Sequence, residues 1–452
     1  MEYGIIVLLP PVAVVALALI TKRPWEPLLA GTILCYIISD GFGFFFPWLD
    51  GLYSIFDEDG VWLMLCVLFI GIFGVLLEES KGTFGIANLI RKAAKTEKQS
   101  LLLGWILGIV TFIDDYAITI TVSSTVKPLT DPHRTPRELL AYVTNSTAAP
   151  ACILIPLSSW YVFFGGLIDK EECIQGISDG FSIYRGSIPY MFYGWAALIL
   201  VPLVILGIVP KVGRMKKAYI RAKETGAIFS KESQRYNSMT AKEASTIQEG
   251  NPLNFIVPMV VVLATTIIYG DLLVGLIWAT AAAGALFIIN KTMTFYQWVD
   301  CLFKGCADMA QMFFIMMTAL FVKTAFENIG LGEYVVANVA PLLNSNTFPV
   351  IVFILVSALA FCTGNNWGVP AFTIPMVLPL AVACDANIYL CTGALLSGAA
   401  FGCNACFFSD TTVLTAKCCG ISNMEHALSQ LPYAAAAASV AAVLFLVFGF
   451  IA

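Results

Sequence analysis

Apolar residues arrive in runs of about 20 along most of the chain, the length that carries a helix across a hydrocarbon core of ~30 Å. No other feature narrows the fold as far. A segment in lipid must satisfy its own backbone polar groups, which only helices and closed barrels achieve. Of 452 residues, 59% are hydrophobic and 12% charged, about half the ~25% charge of soluble domains. A water-soluble enzyme of this length would have too little polar surface. The ~10-residue alternating strands of a β-barrel do not occur in the sequence. The sequence predicts an all-α polytopic membrane protein.

Ten long spans are expected, near 4–21, 27–46, 61–78, 137–167, 187–210, 253–270, 272–290, 307–326, 388–416 and 430–451. Two more apolar stretches, 101–126 and 346–382, carry polar residues at their middles and are expected to be re-entrant helical hairpins. Charge tests this drawing. With both termini outside, 22 of the 25 Lys and Arg fall in inner connections, including Lys22, Arg23 and nine in 211–250. Lys170, Arg185 and Lys323 are left outside, beside acids such as Asp57-Glu58-Asp59 and Glu171-Glu172. Basic residues gather on the cytoplasmic side of a membrane, so the expected location is the inner (cytoplasmic) membrane. Lys22 and Arg23 follow the first apolar run, which therefore reads as an uncleaved span and not a signal peptide.

Residues 211–250 form the one long polar stretch, expected to be a solvated cytoplasmic linker, helical near 214–225, with lipid headgroup contact as a second reading. It separates 1–210 from 251–452, each with three spans, a hairpin, an interrupted span and a last span. Five crossings per half would invert the second repeat relative to the first. An offset of 251 sets Asp114 on Asn365, Asp115 on Asn366 and Pro128 on Pro379. Inverted repeats with broken helices at the midplane mark secondary transporters.

Charge inside hydrocarbon costs at least ~2.5 kcal/mol per Asp on insertion scales. Asp114 and Asp115 stand in such a run, with no basic residue nearby in sequence. Paired buried carboxylates repel as anions, and a proton or a Na⁺ relieves that repulsion. A site holding one or the other is the minimal chemistry of an exchanger, although one Asp could simply cap a half-helix starting near Tyr116. The interrupted span 137–167 offers Asn145, Ser146 and Thr147; its counterpart offers Asn404, Ser409, Asp410, Thr411 and Thr412. Their neutral oxygens, with carbonyls freed at the breaks, suit Na⁺; helix packing by small and hydroxyl residues is the blander account. The second hairpin tip supplies Thr363, Asn365 and Asn366, and its half-helix N-terminus suits an anion or carboxylate. Trp160 and Trp367 are candidate walls of a substrate pocket. Most of the 13 Cys lie in apolar runs, and His133 and His426 fall in polar connections away from Cys403 and Cys406; that pair is read as helix packing and not as a metal or redox site. No cofactor-binding loop, nucleophile constellation or nucleic-acid patch is present in the sequence.

At these residues the sequence resembles the NhaC-type sodium/proton antiporter family of the ion-transporter superfamily. The resemblance rests on Phe112-Ile113-Asp114-Asp115-Tyr116-Ala117, Lys127-Pro128-Leu129-Thr130-Asp131, Ser146-Thr147-Ala148-Ala149-Pro150, Thr363-Gly364-Asn365-Asn366-Trp367-Gly368, Ser409-Asp410-Thr411-Thr412 and Gln430-Leu431-Pro432-Tyr433. It implies a secondary active transporter, not an enzyme, coupled to Na⁺ and H⁺, with small ions or a small molecule as substrate. It also implies an elevator-type movement in a homodimer embedded in membrane lipid. One departure stands out. Ahead of Ser409 the family pattern carries an Asp-His pair, whereas this chain reads Gly402-Cys403-Asn404-Ala405-Cys406. A sodium-driven carrier of an amino acid or carboxylate is therefore the alternative to Na⁺/H⁺ antiport.

Overall fold

The computed structural model describes residues 3–21, 25–82, 85, 95–234 and 250–451. Lys22, Arg23, Arg91, Lys92 and the 235–249 part of the linker lie outside the described residues. Every regular element among the described residues is helical. The chain opens with α1 (Leu9–Thr21), α2 (Trp25–Asp40), the short α3 (Phe45–Ser54) and α4 (Glu58–Glu79). α4 begins where Asp57 accepts a hydrogen bond from the Gly60 amide, the usual N-cap arrangement.

The first expected hairpin is α5 (Glu97–Val110) packed on α6 (Asp115–Thr130), broken at 111–114. The interrupted span is α7 (Arg137–Leu154) and α8 (Ser159–Asp169), bent by 42°. The expected straight span 187–210 is also broken: α9 (Gly180–Ser187) and a short 3-10 turn meet α10 (Phe192–Leu206) at 47°. Pro189 in that turn lacks the amide that would continue a helix.

α11 (Gly213–Thr225) is the helix expected in the linker, but it is not simply solvated. Met215, Ala218 and Ala222 are buried on one face. Arg221 forms a two-pronged ion pair with Glu138 of α7, and Lys223 pairs with Glu97 of α5 at 2.7 Å. The 3- and 4-residue spacing of those small apolar side chains makes the helix amphipathic, so it docks on the helical body.

The remainder runs through α12 (Leu253–Tyr269), α13 (Leu272–Ile289), α14 (Phe295–Asp308), α15 (Ala310–Asn328) and α16 (Leu331–Asn338). The second expected hairpin is α17 (Phe348–Thr363) and α18 (Gly368–Ala383); the second interrupted span is α19 (Ile388–Ala405) and α20 (Asp410–Cys419); α21 (Asn423–Gly449) is last. Among the described residues five helices are long and apolar enough to cross a membrane, or seven if each bent pair is one span. α12, α17 and α18 are apolar but only 16 or 17 residues long.

Contacts between distant connections respect the charge sorting. Lys170 bridges Asp57 and Asp59 at 2.9 and 3.1 Å, and Trp62 donates to Asp271, all residues drawn on the outer face. Lys304–Glu79 and Arg137–Cys419 join connections drawn on the inner face. α14 lies against α4 so closely that a Cβ at Gly305 would sit 2.4 Å from the Ile72 Cα. Gly305→Val should therefore push the two helices apart, cost about 1–3 kcal/mol and lower the thermal denaturation temperature in detergent.

Glu171, in the connection after α8, is 5% exposed. Burial pushes its carboxyl up to about 8, with the Lys323 charge opposing the shift. The folded chain thus holds this proton where the unfolded chain releases it. The stabilisation is complete below the ordinary carboxylate range and is lost as pH rises towards 8. Glu171→Gln should melt above the wild type at pH 9 and match it at pH 4, as read by differential scanning fluorimetry.

Candidate functional site

The breaks in the two hairpins and the two interrupted spans meet one another. At the first hairpin tip, Asp114 is the N-cap of α6: its Oδ1 accepts from the Tyr116 and Ala117 amides at 3.0 and 3.4 Å. Its Oδ2 accepts from the Ser159 hydroxyl at 2.9 Å, and the Ser159 amide donates to the Ile113 carbonyl at 2.8 Å. The tip is thereby tied to the break between α7 and α8. Asp115 differs. It is fully buried, and neither of its oxygens makes a hydrogen bond of regular geometry; the Trp160 indole is the donor that faces it.

Tyr116 joins the halves by donating its hydroxyl to Asp410 Oδ2 at the N-terminus of α20. Asp410 Oδ1 accepts from the Thr411 amide at 2.8 Å, and Asn366 of the second hairpin tip faces the same carboxylate. Two buried carboxylates, Asp114 and Asp115, and the half-buried Asp410 therefore share one polar centre, and none forms an ion pair with Lys or Arg among the described residues. No group of three or more His, Cys, Asp or Glu there has the arrangement of a metal site.

A second cluster surrounds the Cys403 carbonyl, freed where α19 ends. It accepts from Ser409, Thr411 and Thr412 hydroxyls at 3.2, 3.3 and 3.0 Å, and from the Asn145 amide at 3.4 Å. The first half repeats this contact. Ser158 caps α8 and donates to the Cys152 carbonyl at 2.6 Å, both residues 251 positions before Ser409 and Cys403.

Other expected ligands are engaged locally. Thr147 and Thr363 donate to the carbonyls of Val143 and Leu359 in their own helices. Asn365 Oδ1 accepts from the Gly368 amide at 2.7 Å and caps α18. Ser146 is buried on α7. Trp160 and Trp367 pack on each other with ring centroids 5.1 Å apart, and Trp367 stacks on Phe164 at 5.6 Å. They form an aromatic wall beside Asp115.

The structure corrects one placement. His426 is not in a polar connection; it is fully buried in the second turn of α21, with Nε2 3.2 Å from the Asn145 amide nitrogen. Gln430, one turn on, donates to the Asn404 carbonyl at 2.5 Å. The four-residue spacing of His426, Gln430 and then Tyr433 three further on was the available signal. Short distance from the polar 417–425 segment masked it.

A sequence profile of the Na⁺/H⁺ antiporter family matches residues 151–450. The chain belongs to the Na⁺/H⁺ antiporter family. Among relatives, an uncharacterised protein of Haemophilus influenzae is 26% identical, covering 98% of this chain and 90% of its own. A Malate-2H(+)/Na(+)-lactate antiporter of Bacillus subtilis is 27% identical over 26% of this chain and 27% of its own. The fold is similar to that of the Alcanivorax borkumensis YdaH transporter, with TM-score 0.61, 12% identity and coverage of 91% and 89%. This antiporter-family chain is thus an integral membrane protein and a secondary transporter, and the family's coupling ions are Na⁺ and H⁺. The profile match takes in Asp410 and Gln430 but begins after Asp114 and Asp115.

The capping geometry separates the two neighbouring aspartates. Asp114→Ala should lose the cap of α6 and destabilise by about 0.5–2 kcal/mol, whereas Asp114→Asn should retain most of it. Thermal melts of the two variants in detergent would check this; equal melting would mean Asp114 contributes nothing as a cap.

Proposed function

We propose that the chain exchanges Na⁺ for H⁺, with the cation held among Asp115, Asp114 and Asp410. The observation that carries this reading is Asp115, a fully buried carboxylate without a regular hydrogen bond beside two other carboxylates. Such a group needs a proton or a cation as its partner, and the two exclude one another. Asp114 is oriented by Ser159 and two amides, and Asp410 by Tyr116 and its own helix N-terminus, so the centre is pre-formed. Asn366, which faces Asp410 without a hydrogen bond of regular geometry, adds a neutral oxygen. Ser409, Thr411 and Thr412 order the adjacent break.

In this reading 1–210 and 251–452 are inverted repeats joined by a cytoplasmic linker. Both termini face outward across the inner membrane, and a homodimeric scaffold supports an elevator-type movement of the site. The shared Ser–carbonyl contact at offset 251 supports the duplication.

A second reading is a sodium-driven carrier of a small carboxylate or amino acid. It is favoured by Cys403 and Asn404 standing in place of an acid and a histidine, and by the named cargo of the Bacillus subtilis relative. The experiment is reconstitution in liposomes loaded with a pH-sensitive dye, under an imposed Na⁺ gradient with clamped potential. Proton movement should follow Na⁺ and fall to the protein-free rate in Asp115→Asn at unchanged expression. Proton movement unaffected by Asp115→Asn removes Asp115 from the site. Active protein that moves no protons, but takes up a carboxylate or amino acid in a Na⁺-dependent way, selects the second reading.

A further inference from the structure

Two cavities flank the first hairpin tip, and they differ in chemistry. One, of about 350 Å³, lies between the tip and α4, α12 and α13, and every residue on its wall is apolar, Phe112, Ile113 and Leu157 among them. The other, also about 350 Å³, takes Gly74 and Glu78 from α4, Thr111 and Ile113 from the break, and Ala117 and Thr121 from α6. Glu78 is the one charged residue on its wall. It stands at the end of α4 drawn as cytoplasmic, half-buried, and its carboxylate forms no ion pair or hydrogen bond among the described residues. Lys304, the cation near it, is taken by Glu79 at 2.5 Å, and Asp308 adds a further acid nearby. The mouth of this cavity is therefore negative.

A cation in a wholly apolar cavity would lose its hydration without replacement, so of the two only the cavity with Glu78 can pass an ion. It spans one helical turn on each wall, ~6 Å, from Glu78 to Gly74 and from Thr121 to Ala117. It ends at Ile113, the residue before Asp114, and at Ala117, whose amide donates to Asp114 Oδ1 at 3.4 Å. A Cβ at Gly74 would meet nothing within 4 Å, so the passage is open there. We propose that Glu78 is the entry residue for Na⁺ from the cytoplasm: its carboxylate draws the cation into the cavity and holds it against the hairpin tip that carries Asp114 and Asp115. A fixed anion between low-dielectric walls raises the local cation concentration. Because Glu78 lies outside the exchange centre, it sets how readily Na⁺ arrives and not how fast bound Na⁺ is turned over. The assignment rests on the exchange reading above, since it needs Na⁺ to bind at that tip.

The test is exchange of ²²Na⁺ against unlabelled Na⁺ in right-side-out and everted membrane vesicles, with the opposite face held at saturating Na⁺. Glu78→Gln should raise the half-saturating Na⁺ concentration at the cytoplasmic face about tenfold, the low end of the range for charged clefts. The maximal rate and the outer-face value should stay as in wild type. Glu78→Asp, which keeps the charge, should restore the wild-type value. Gly74→Leu favours the helix yet fills the cavity, and should cut the flux several-fold in protein that melts no lower than wild type. Half-saturation in Glu78→Gln that is unchanged at both faces, or raised equally at both, overturns the proposal, as does full flux in Gly74→Leu. Asp115→Asn is measured beside them. If it loses all ²²Na⁺ flux while Glu78→Gln matches wild type, the exchange centre stands and the entry residue falls. If it keeps the flux while Glu78→Gln shifts the cytoplasmic value alone, the carboxylate reading fails and Glu78 stands as the entry to a different site. Wild type that moves no ²²Na⁺ overturns both.

Discussion

A helix that stops inside a membrane protein leaves amides and carbonyls that lipid cannot hydrate, and four such breaks converge here. The rest of the site follows from how they are satisfied. Asp114, Ser158, Asn365 and Ser409 each turn an oxygen back onto the amides that start a half-helix. Ser158 and Ser409 also reach the carbonyls left at the ends of α7 and α19. Capping thus consumes much of the polar chemistry that looks functional in the sequence. Among the groups left without a regular protein partner at these breaks are the Asp115 carboxylate and the Asn366 and Asn404 amides. The groups that can bind something are those left over once the backbone is satisfied.

This division explains what was legible beforehand. The all-helical membrane class follows from span length alone, and both hairpin breaks fall where polar residues interrupt an apolar run. The half-helix beginning near Tyr116 is capped by Asp114, as one reading of the adjacent aspartates required. Spacing could not say which aspartate caps and which stays free, because that depends on Ser159 arriving from another helix. Thr147 and Thr363 show the opposite error. A threonine hydroxyl in a helix can bond the carbonyl four residues back, and both do, so their presence in a motif carries no information about ligation.

The linker and His426 were misjudged for one reason: polarity was read along the chain, whereas burial is decided across it. α11 is basic, yet Glu97 and Glu138 neutralise two of its cations and Met215 and Ala222 bury its inner face. His426 follows a polar loop but points inward beside Asn145. Lys170 with Asp57, and Lys304 with Glu79, join connections that the sorting of charge by side placed together.

The two halves also share an arrangement with its polarity exchanged. At offset 251, Ser159 corresponds to Asp410, while Asp114 and Asp115 correspond to Asn365 and Asn366. In the first half the acids sit on the hairpin tip, and a serine on the broken span donates to one of them. In the second the acid sits on the broken span, and an amide on the hairpin tip faces it. Each pairing keeps one anion and one neutral group, so neither half buries two facing charges. Tyr116 then bridges from the first tip to the second half's acid, which ties Asp410 to the helix that Asp114 caps. The amides of Asn145 and Gln430 instead reach the carbonyls of Cys403 and Asn404 near the end of α19. The acids and the amides at corresponding positions thus make two unlike environments, one that a proton can neutralise and one that it cannot.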